Sequence, residues 1–451
     1  MMKVKHIFHT LFVAVAVATV CTACTFEQED FFDESASLRI THLNEQLQQR
    51  LVSQSSDGNN GWVIQYFVAG TDDLDFEGFN LFGRFYDSGQ VTLASNHRFL
   101  RNGNANKYTE ASSTYEMLSE EGPVLAFNTW NDVLTVFVDP VSPSSAPNTI
   151  VSDGEGMNGD HNLVLKSLED DEILFRGERH SAEVRFIPCD RTWEEYIDAT
   201  AQLKSKIATA ALTSYYVTNG VDTMYFSGLN RGSFLYCDRV DNPLVRKTLA
   251  CVFTPDGFRI NHVDSLGEYA FQTFTIDADT TCLQNEDQSV KVIACWDRYI
   301  ANHTAVWKMD PSSFTAEQQS LYDQIAEQLL KANKNYVLES IGIGKTSSGN
   351  AVNGLVLTFY SNANKTRTNA AGLSLSIVCS AYGQIQLVST PEDAYDNNMN
   401  AISRNVPEIL ALTRQFAATL SGTYDVVPDD YFLPTGGVFT AVNGGTTFKL
   451  N

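Results

Sequence analysis

Short apolar runs that alternate with polar residues, and that end at turn residues, constrain the fold more than any other feature of this chain. Such alternation is typical of strands with one face in a core. The first run covers Gly61–Phe67, and Asn80–Ser95 indicates two strands joined by a turn around Asp87, Ser88 and Gly89. Because turns this short leave no room for a crossover helix, we expect antiparallel hairpins.

The alternation continues to the end of the chain. It predicts a hairpin in Gly122–Pro140, with its turn near Asn131 and Asp132, and a three-stranded meander in Asn162–Pro188. Further predicted strand segments, followed by a terminal hairpin, are Thr223–Gly228, Ser233–Val240, Thr248–Ile260, Ala270–Asp277, Ser289–Trp296, Tyr336–Ile343, Gly354–Tyr360, Leu373–Cys379 and Gly383–Ser389.

Segments with helical spacing interrupt the strands. Apolar residues have this spacing in Leu38–Leu51, and about Val406–Leu420 is another predicted helix, with Pro407 in its first turn. Capping-box matches predict two more helices, which begin at Thr192 and at Thr315. The expected fold class is mainly β with helices (α+β), in which antiparallel β domains are each preceded by an amphipathic helix.

This order divides the 451 residues, too many for one typical core, into several units. The predicted units are a lipoprotein signal peptide at 1–23, an acidic tether at 24–37, a helix plus antiparallel β domain at 38–190, a second helix-plus-β domain at 191–310, and a third α+β domain at 311–451. The alternative is that the third domain merges with the second.

The N-terminus has the features of an export signal. Two lysines precede the apolar run Ile7–Ala23, which is short for a membrane-spanning helix. Cys24 follows the small residue Ala23 in an arrangement that resembles the bacterial lipobox, although Cys21 occupies the position where lipoboxes usually have Leu. We predict lipid attachment at Cys24, with an ordinary cleaved signal as the alternative. Several acyl chains would anchor the chain to a membrane lastingly.

Acidic residues dominate the charge of the chain. A formal net charge of -23 repels phosphate backbones, so nucleic-acid binding is disfavoured. The acidic run within Glu27–Glu34 is expected to form a solvated tether, and it also resembles the surface-export signal of Bacteroidota lipoproteins. We therefore expect a lipid-anchored protein of the outer membrane that faces the cell exterior.

A set of segments, clearest between Phe31 and Trp193, carries a family resemblance. The segments are FFDESASLRI, GWVIQYF, FYDSGQVT, EGPVLAFNTWNDVLTVFVDP, GDHNLVLKSLEDDEILFRG and FTPDGFRI. They resemble an uncharacterised family of Bacteroidota surface lipoproteins, known only as a domain of unknown function. Members are typically encoded near SusC/SusD-like uptake systems, so the resemblance implies an accessory role in nutrient uptake and a SusC/SusD-like transport partner. It supplies no catalytic residues.

Common catalytic motifs do not occur in the sequence. It contains no His-Glu-x-x-His and no Gly-x-Ser-x-Gly, and the GKT at Gly344–Thr346 lacks the earlier glycine of a phosphate-binding loop. We assign no catalytic residue and no cofactor. Two carboxylate clusters are nevertheless candidates for a glycosidase acid and nucleophile, and solvated charge is the alternative. They are Asp72, Asp73, Asp75 and Glu77, and Glu169, Asp170, Asp171 and Glu172.

Two features are candidates for binding. Asp153, Glu155, Asn158 and Asp160 offer oxygen ligands for calcium on a glycine-rich loop, although not in EF-hand order, and a plain flexible loop is the alternative. Trp130, beside the predicted turn, is the tryptophan we expect to stack on a sugar ring, with core packing as the alternative.

Cysteines later in the chain allow disulfides if the protein is exported. Cys237 with Cys251, and Cys282 with Cys295, are close enough in sequence to pair across hairpins. Buried thiols are the alternative.

The expected function is binding without chemistry. We expect a cell-surface lipoprotein that binds an extracellular nutrient, a glycan or a peptide, as an accessory to an outer-membrane uptake system. One alternative is a secreted hydrolase that uses paired carboxylates. The other is a structural or adhesive surface subunit.

Overall fold

A computed structural model describes residues 35–68, 77–120, 122–140, 157–209, 212, 214–229, 233–239, 242–302, 305–347, 349–381, 383–444 and 447–451. The predicted signal peptide, Cys24 and most of the acidic tether lie outside these residues. Asp153 and Glu155, two of the predicted calcium ligands, also lie outside them. Within them, the prediction of mainly antiparallel β structure with helices is confirmed.

A helix and a closed eight-stranded barrel form the first unit, which we call barrel 1. Helix α1 spans Ala36–Ser55. The strands are β1 (Trp62–Phe67), β2 (Gly78–Phe85), β3 (Gln90–Ser95), β4 (Thr109–Ser119), β5 (Pro123–Phe127), β6 (Asn162–Leu168), β7 (Ile173–Gly177) and β8 (Glu183–Pro188). Each strand is antiparallel to its neighbours, and β8 closes the barrel against β1.

Aromatic side chains fill the interior of barrel 1. Alternate residues of β1 belong to its core, where Trp62 and Tyr66 are fully buried. The same core contains Phe79, Phe85, Phe99, Phe127, Phe137, Phe175 and Phe186. An eight-stranded barrel is only just wide enough for its own side chains or one small ligand, so these rings occupy the space that a ligand would need.

Helix α1 closes one end of barrel 1. Leu47 and Leu51 on α1 are fully buried in the barrel core, as the helical spacing of Leu38–Leu51 predicts. The indole nitrogen of Trp62 donates to the backbone oxygen of Leu51 at 3.0 Å. The Ser55 hydroxyl accepts from a backbone N–H at the end of β2 at 2.9 Å. The helix is therefore held by both packing and hydrogen bonds.

The long connections of barrel 1 lie at its other end. When consecutive strands are antiparallel, every second connection falls at the same end of the barrel. The connections after β1, β3, β5 and β7 therefore meet there. We call this the loop end, and its described residues are 68, 77, 96–108, 128–140, 157–161 and 178–182. The opposite end carries α1 and the short turns.

The predicted hairpin in Gly122–Pro140 is wrong. Only β5 is a strand there, and the chain then enters the loop end with a 3₁₀ turn at Thr135–Phe137. Asn131 favours this turn because its side-chain oxygen accepts from the N–H of Val133 at 3.0 Å. Its own N–H donates to the Thr135 hydroxyl at 2.9 Å. The apolar residues after Asn131 are buried as part of the barrel core instead of pairing as a second strand.

A second helix and a second closed barrel follow, which we call barrel 2. Helix α2 spans Trp193–Ile207, and the predicted capping box is confirmed by reciprocal hydrogen bonds between Thr192 and Glu195. Its Trp193 packs on the outside of barrel 1 against Phe82, with 5.8 Å between ring centroids. The strands are β9 (Ser214–Thr218), β10 (Thr223–Ser227), β11 (Ser233–Arg239), β12 (Asn242–Phe253), β13 (Gly257–Leu266), β14 (Tyr269–Ile276), β15 (Leu283–Gln284) and β16 (Lys291–Ala294).

The two barrels contact each other through an apolar patch and a network of charged side chains. The patch consists of Phe67 from β1 with Ala250 and Val252 from β12. Beside it, Glu172 of barrel 1 lies 3.4 Å from the guanidinium of Arg259 on β13. The interface is therefore only partly hydrophobic.

Two open antiparallel sheets with helices form the rest of the chain. The helices are α3 (Trp296–Asn302), α4 (Ala316–Ala332), α5 (Asn397–Asn405) and α6 (Glu408–Thr419). The first sheet contains β17 (Trp307–Lys308), β18 (Val337–Lys345), β19 (Asn353–Tyr360) and β20 (Thr368–Ser374); the second contains β21 (Ser376–Ala381), β22 (Gln384–Val388), β23 (Gly422–Pro428), β24 (Gly437–Ala441) and β25 (Thr447–Leu450). The capping box predicted at Thr315 is confirmed. None of the helices in the described part of the chain is long and apolar enough to span a membrane.

Strand register keeps the candidate disulfide partners apart. Cys237 on β11 lies opposite Arg246, whereas Cys251 on the neighbouring β12 lies opposite Ile260. A disulfide needs Cα atoms within about 7 Å, which this offset along the strands does not allow. Cys282 and Cys295 are buried thiols.

Candidate functional site

Trp130 is the exposed tryptophan of this chain. Its side chain is 53% exposed, whereas the other four tryptophans belong to the buried cores. They are Trp62, Trp193, Trp296 and Trp307. Trp130 lies at the loop end of barrel 1, between β5 and the 3₁₀ turn, so its ring is available to a ligand that approaches this end.

Polar contacts hold the Trp130 side chain in place. Its indole nitrogen donates to a carboxylate oxygen of Asp132 at 2.6 Å. The guanidinium carbon of Arg101 lies 5.5 Å from the centre of its rings, within the range of a cation–π contact. Arg101 in turn forms an ion pair with Asp139 at 2.6 Å. An exposed indole is therefore presented in a defined orientation.

A cavity of about 400 Å³ opens at the same end of the barrel. Val138 and Pro140 line the cavity, and Asp139 between them is the ion-pair partner of Arg101. Because Arg101 also contacts the Trp130 ring, the cavity lies close to Trp130. Most of its lining residues are polar. They are Val138, Pro140, Asn158, Gly159, Asp160, His161, Asn162, Glu178, Arg179 and His180.

Asp160, one of the predicted calcium ligands, holds the backbone of a neighbouring turn. Its buried carboxylate accepts backbone N–H groups from Arg179 at 2.9 Å, His180 at 3.0 Å and Ala182 at 3.2 Å. These bonds compensate the burial of the charge. The carboxylate thereby fixes the turn between β7 and β8 as one wall of the cavity.

Tyr66 anchors the same segment from inside the barrel. Its phenol donates to the backbone oxygen of Asp160 at 2.8 Å and accepts from the Asp160 N–H at 2.6 Å. Burial raises the pKa of Tyr66, so the phenol keeps its proton and remains a donor. The barrel core and the cavity wall are thus connected through one side chain.

The remaining polar groups of the cavity are partly open to solvent. The ring nitrogen Nδ1 of His180 lies 3.1 Å from the backbone oxygen of Gly159, and the Asn162 amide donates to Glu178 at 2.8 Å. Asn158, with φ of 55°, is half-buried in the wall. In the described residues, no group of three or more His, Cys, Asp or Glu side chains is placed to hold a metal ion. The cavity offers hydrogen-bond donors and acceptors to a polar ligand.

The two predicted carboxylate clusters lie in different surroundings. Glu169, Asp170 and Asp171 are exposed on the β6–β7 turn, at the end of barrel 1 opposite Trp130. Glu172 binds Arg185 at 2.9 Å. The first cluster is described only at Glu77, because Asp72, Asp73 and Asp75 fall outside the described residues.

The sequence singles out Trp130, Asn158 and Asp160, and the structure brings all three to the loop end. The sequence does not indicate Arg101 or His180, which belong to other connections of the barrel, far from Trp130 in the chain. They lie near Trp130 because every second connection between antiparallel strands falls at the same end of the barrel. Only the closed order of the strands shows this.

Comparisons with known proteins identify a family without a known activity. Residues 28–278, which include α1, barrel 1 and the strands of barrel 2 through β14, match the family described as “Domain of unknown function (DUF4302)”. The chain belongs to this family. The matched residues contain all of barrel 1, whereas β15 and β16, which complete barrel 2, fall beyond them.

Other comparisons add no functional information. No curated protein matches this DUF4302 chain. Among solved structures, the crystal structure of the DNA polymerase III subunit beta from Pseudomonas aeruginosa aligns with 91% of this chain and 96% of its own, at 11% identity and a TM-score of 0.12. A TM-score this low carries no argument about fold or function.

Proposed function

We propose that this chain binds an extracellular glycan at the loop end of barrel 1. The observation that carries the proposal is the exposed indole of Trp130, held by Arg101 and Asp132 next to a polar cavity of about 400 Å³. A pyranose ring combines an apolar C–H face with several hydroxyl groups. The indole suits the first, and the amide, carboxylate and guanidinium groups of the cavity suit the second.

The polar side chains of the cavity favour a glycan over an apolar ligand. Asn158, Asn162, Glu178 and Arg179 present planar groups that donate or accept two hydrogen bonds each, which matches neighbouring sugar hydroxyls. The barrel interior is already filled by aromatic rings, so a surface site agrees with the packing. A peptide is the other nutrient class, and binding to immobilised glycans and peptides distinguishes the two.

The anchoring and the partner form the second part of the proposal. We propose that lipid on Cys24 holds the chain on the outer membrane, facing the exterior, as an accessory to a SusC/SusD-like uptake system. Helix α1 is the first described element after Cys24, and it closes the end of barrel 1 opposite Trp130. A chain tethered from that side would direct its loop end away from the membrane.

Binding of immobilised glycans and peptides to the purified protein tests the ligand. We expect at least one glycan to bind, and Trp130→Ala to weaken it at least tenfold, a loss of about 1.4 kcal/mol. Tyr86→Ala is the matched control, because Tyr86 is 41% exposed but lies on the β2–β3 turn at the opposite end. Binding of peptides alone, or equal glycan binding by both variants, would contradict the proposal. Glycan cleavage would favour the hydrolase.

Labelling with a radioactive fatty acid in a bacterial host tests the anchor. We expect the label to be lost in Cys24→Ser and retained in Cys21→Ser. Protease added to whole cells should degrade the wild-type protein if it faces the exterior. Protection from the protease in intact cells would place the protein in the periplasm and contradict the proposal that it captures its ligand at the cell surface.

A further inference from the structure

A second cavity, of about 280 Å³, lies where barrel 1, helix α2 and barrel 2 meet. It is separate from the loop-end cavity and shares no lining residue with it. Clefts between domains are frequent ligand sites. The polar and charged residues that matter here are Glu77, Asn80, Arg98, Thr200 and Lys204, with Phe253 as the apolar wall.

One ammonium group in this cleft makes no direct ion pair with a described carboxylate, although Glu77 is close enough to interact with it electrostatically. Burial raises the pKa of Glu77 to about 7, against the opposing effects of Arg98, its ion-pair partner at 2.5 Å, and of Lys204. The ammonium group of Lys204 lies 4.8 Å from the centre of the Phe253 ring, and it forms no ion pair within the described residues. A half-buried ammonium group on an aromatic ring retains hydrogen-bond donors for an anion.

Besides Glu77 Oε2, which is in the ion pair with Arg98, two buried polar atoms of the cleft lack hydrogen-bond partners within the described residues. They are the hydroxyl of Thr200 and the side-chain oxygen of Asn80. Thr200 precedes Lys204 by four residues on α2, so both side chains lie on the same helix face. The amide nitrogen of Asn80 donates to the backbone oxygen of Phe253 at 2.7 Å, which fixes the unpaired oxygen as an acceptor. Buried polar atoms without partners are costly, so a ligand or ordered water is needed to pair them.

We propose that this cleft between the barrels binds a small carboxylate that also carries a hydrogen-bond donor, namely an amino acid or a hydroxy acid. The carboxylate accepts from the Lys204 ammonium and the Thr200 hydroxyl. The donor, an ammonium or a hydroxyl, pairs with the Asn80 oxygen. A cavity of about 280 Å³ lies at the lower end of the range of small-molecule sites, roughly 300–1,000 Å³, which suits a compound of this size.

Titration calorimetry of the purified mature chain with L-serine, L-lactate and propionate tests this inference. We expect serine or lactate to bind, and the better of the two tells whether an amino acid or a hydroxy acid is preferred. Propionate has the carboxylate without the donor and should bind at least tenfold more weakly. Failure of both serine and lactate to bind at millimolar concentrations, or equal binding of all three, would overturn the proposal.

Two substitutions on α2 locate the site. Lys204→Met should weaken binding of the better ligand at least tenfold, and Thr200→Val should weaken it by a smaller factor. Lys206→Met is the matched control, because Lys206 is exposed on the same helix and does not line the cleft. Equal affinities in Lys204→Met and Lys206→Met would refute this site. Trp130→Ala should leave this affinity unchanged, so the test is independent of the proposed glycan site.

Discussion

The carboxylate of Asp160 lies against Gly177, so close that a Cβ atom at residue 177 would overlap its oxygen Oδ2. Residue 177 must therefore be glycine for the cavity wall to form. We expect Gly177→Ala to displace the Asp160 carboxylate from the backbone N–H groups of the β7–β8 turn. Loss of these buried hydrogen bonds should lower the free energy of unfolding by about 2–4 kcal/mol. Urea denaturation measures this change.

The control for this substitution is Gly122→Ala. Gly122 has open space around its Cα and a backbone conformation that other residues adopt, so the free energy of unfolding should change by no more than about 0.5 kcal/mol. If both variants unfold at the same urea concentration, the contact between Asp160 and Gly177 does not stabilise the wall.

His97, a buried neutral histidine, links two of the chain connections at the loop end. The ring nitrogen Nδ1 of His97 accepts from the N–H of Phe99 at 3.2 Å, so Nε2 carries the proton and donates to the backbone oxygen of Val133 at 2.9 Å. Burial lowers the pKa of His97 to about 4. The unfolded chain binds this proton below about pH 6.5 and the folded chain only near pH 4, so acid favours unfolding.

We expect the free energy of unfolding to fall by up to roughly 3 kcal/mol through His97 as the pH falls from 6.5 to 4. His97→Gln keeps a donor but cannot titrate, so it should be less stable at pH 7 and lose less stability in acid. His161→Gln, at an exposed position, should show the wild-type pH dependence. Urea denaturation at a series of pH values measures the slopes. Parallel slopes for wild type and His97→Gln would contradict this prediction.

The elements that the sequence predicts are those with local signals. The capping boxes at Thr192 and Thr315 and the turn at Gly89 each involve residues within a few positions, and the structure has all of them. Strand β4 is not among the predicted strands because its inward positions include Ala111 and Ser113 beside Tyr115 and Met117, so the apolar alternation is weak. Residues Val133 to Phe137 misled the prediction because a buried 3₁₀ turn and a buried strand are equally apolar.

Closure of the barrels has no local signal at all. Strand β1 pairs with β8, more than a hundred residues later in the chain, and this pairing decides which connections share an end. Trp130 could be singled out as a residue type with a use in binding. Its contact with Arg101 and its nearness to the cavity depend on the closed order of the strands, so they could not be predicted from the sequence.

Arg185 holds the charged network between the two barrels. Its guanidinium binds Glu172 and Glu183 at 2.9 Å each, and it reaches Gln272 of barrel 2 at 3.4 Å. Burial alone would raise the pKa of Glu183, but hydrogen bonds from His262 and Arg185 hold it below its usual range. Removal of Arg185 would leave two carboxylates close together without their shared cation.

We therefore expect Arg185→Met to lower the free energy of unfolding by about 3 kcal/mol, because a nearly buried ion pair loses one partner. The two barrels should also unfold in separate steps more readily. Arg176→Met is the control, since Arg176 is exposed on β7, and it should change stability by less than about 0.5 kcal/mol. Differential scanning calorimetry measures both effects. An unchanged single transition in Arg185→Met would show that the apolar patch alone couples the barrels.

Barrel 2 depends on a side chain from the last part of the chain. Phe432, in the loop between β23 and β24, is fully buried in the barrel 2 core. The Asp430 carboxylate accepts the N–H groups of Phe432 at 2.8 Å and Leu433 at 2.9 Å, which fixes the loop in this shape. Phe432→Ala should remove about 3–5 kcal/mol from the stability of barrel 2, because it leaves a cavity in a closed core.

The neighbouring Leu433→Ala is a matched control for Phe432→Ala, because Leu433 is 47% exposed in the same loop. It should lower the free energy of unfolding by less than about 1 kcal/mol. Hydrogen exchange resolved to peptides of β9–β16 measures the effect where it is expected. If protection of these strands falls equally in both variants, or in neither, barrel 2 folds without the inserted ring. A fall in protection in Phe432→Ala alone would show that barrel 2 needs this side chain from the last part of the chain. A chain that ends at residue 302 would then lack part of the barrel 2 core.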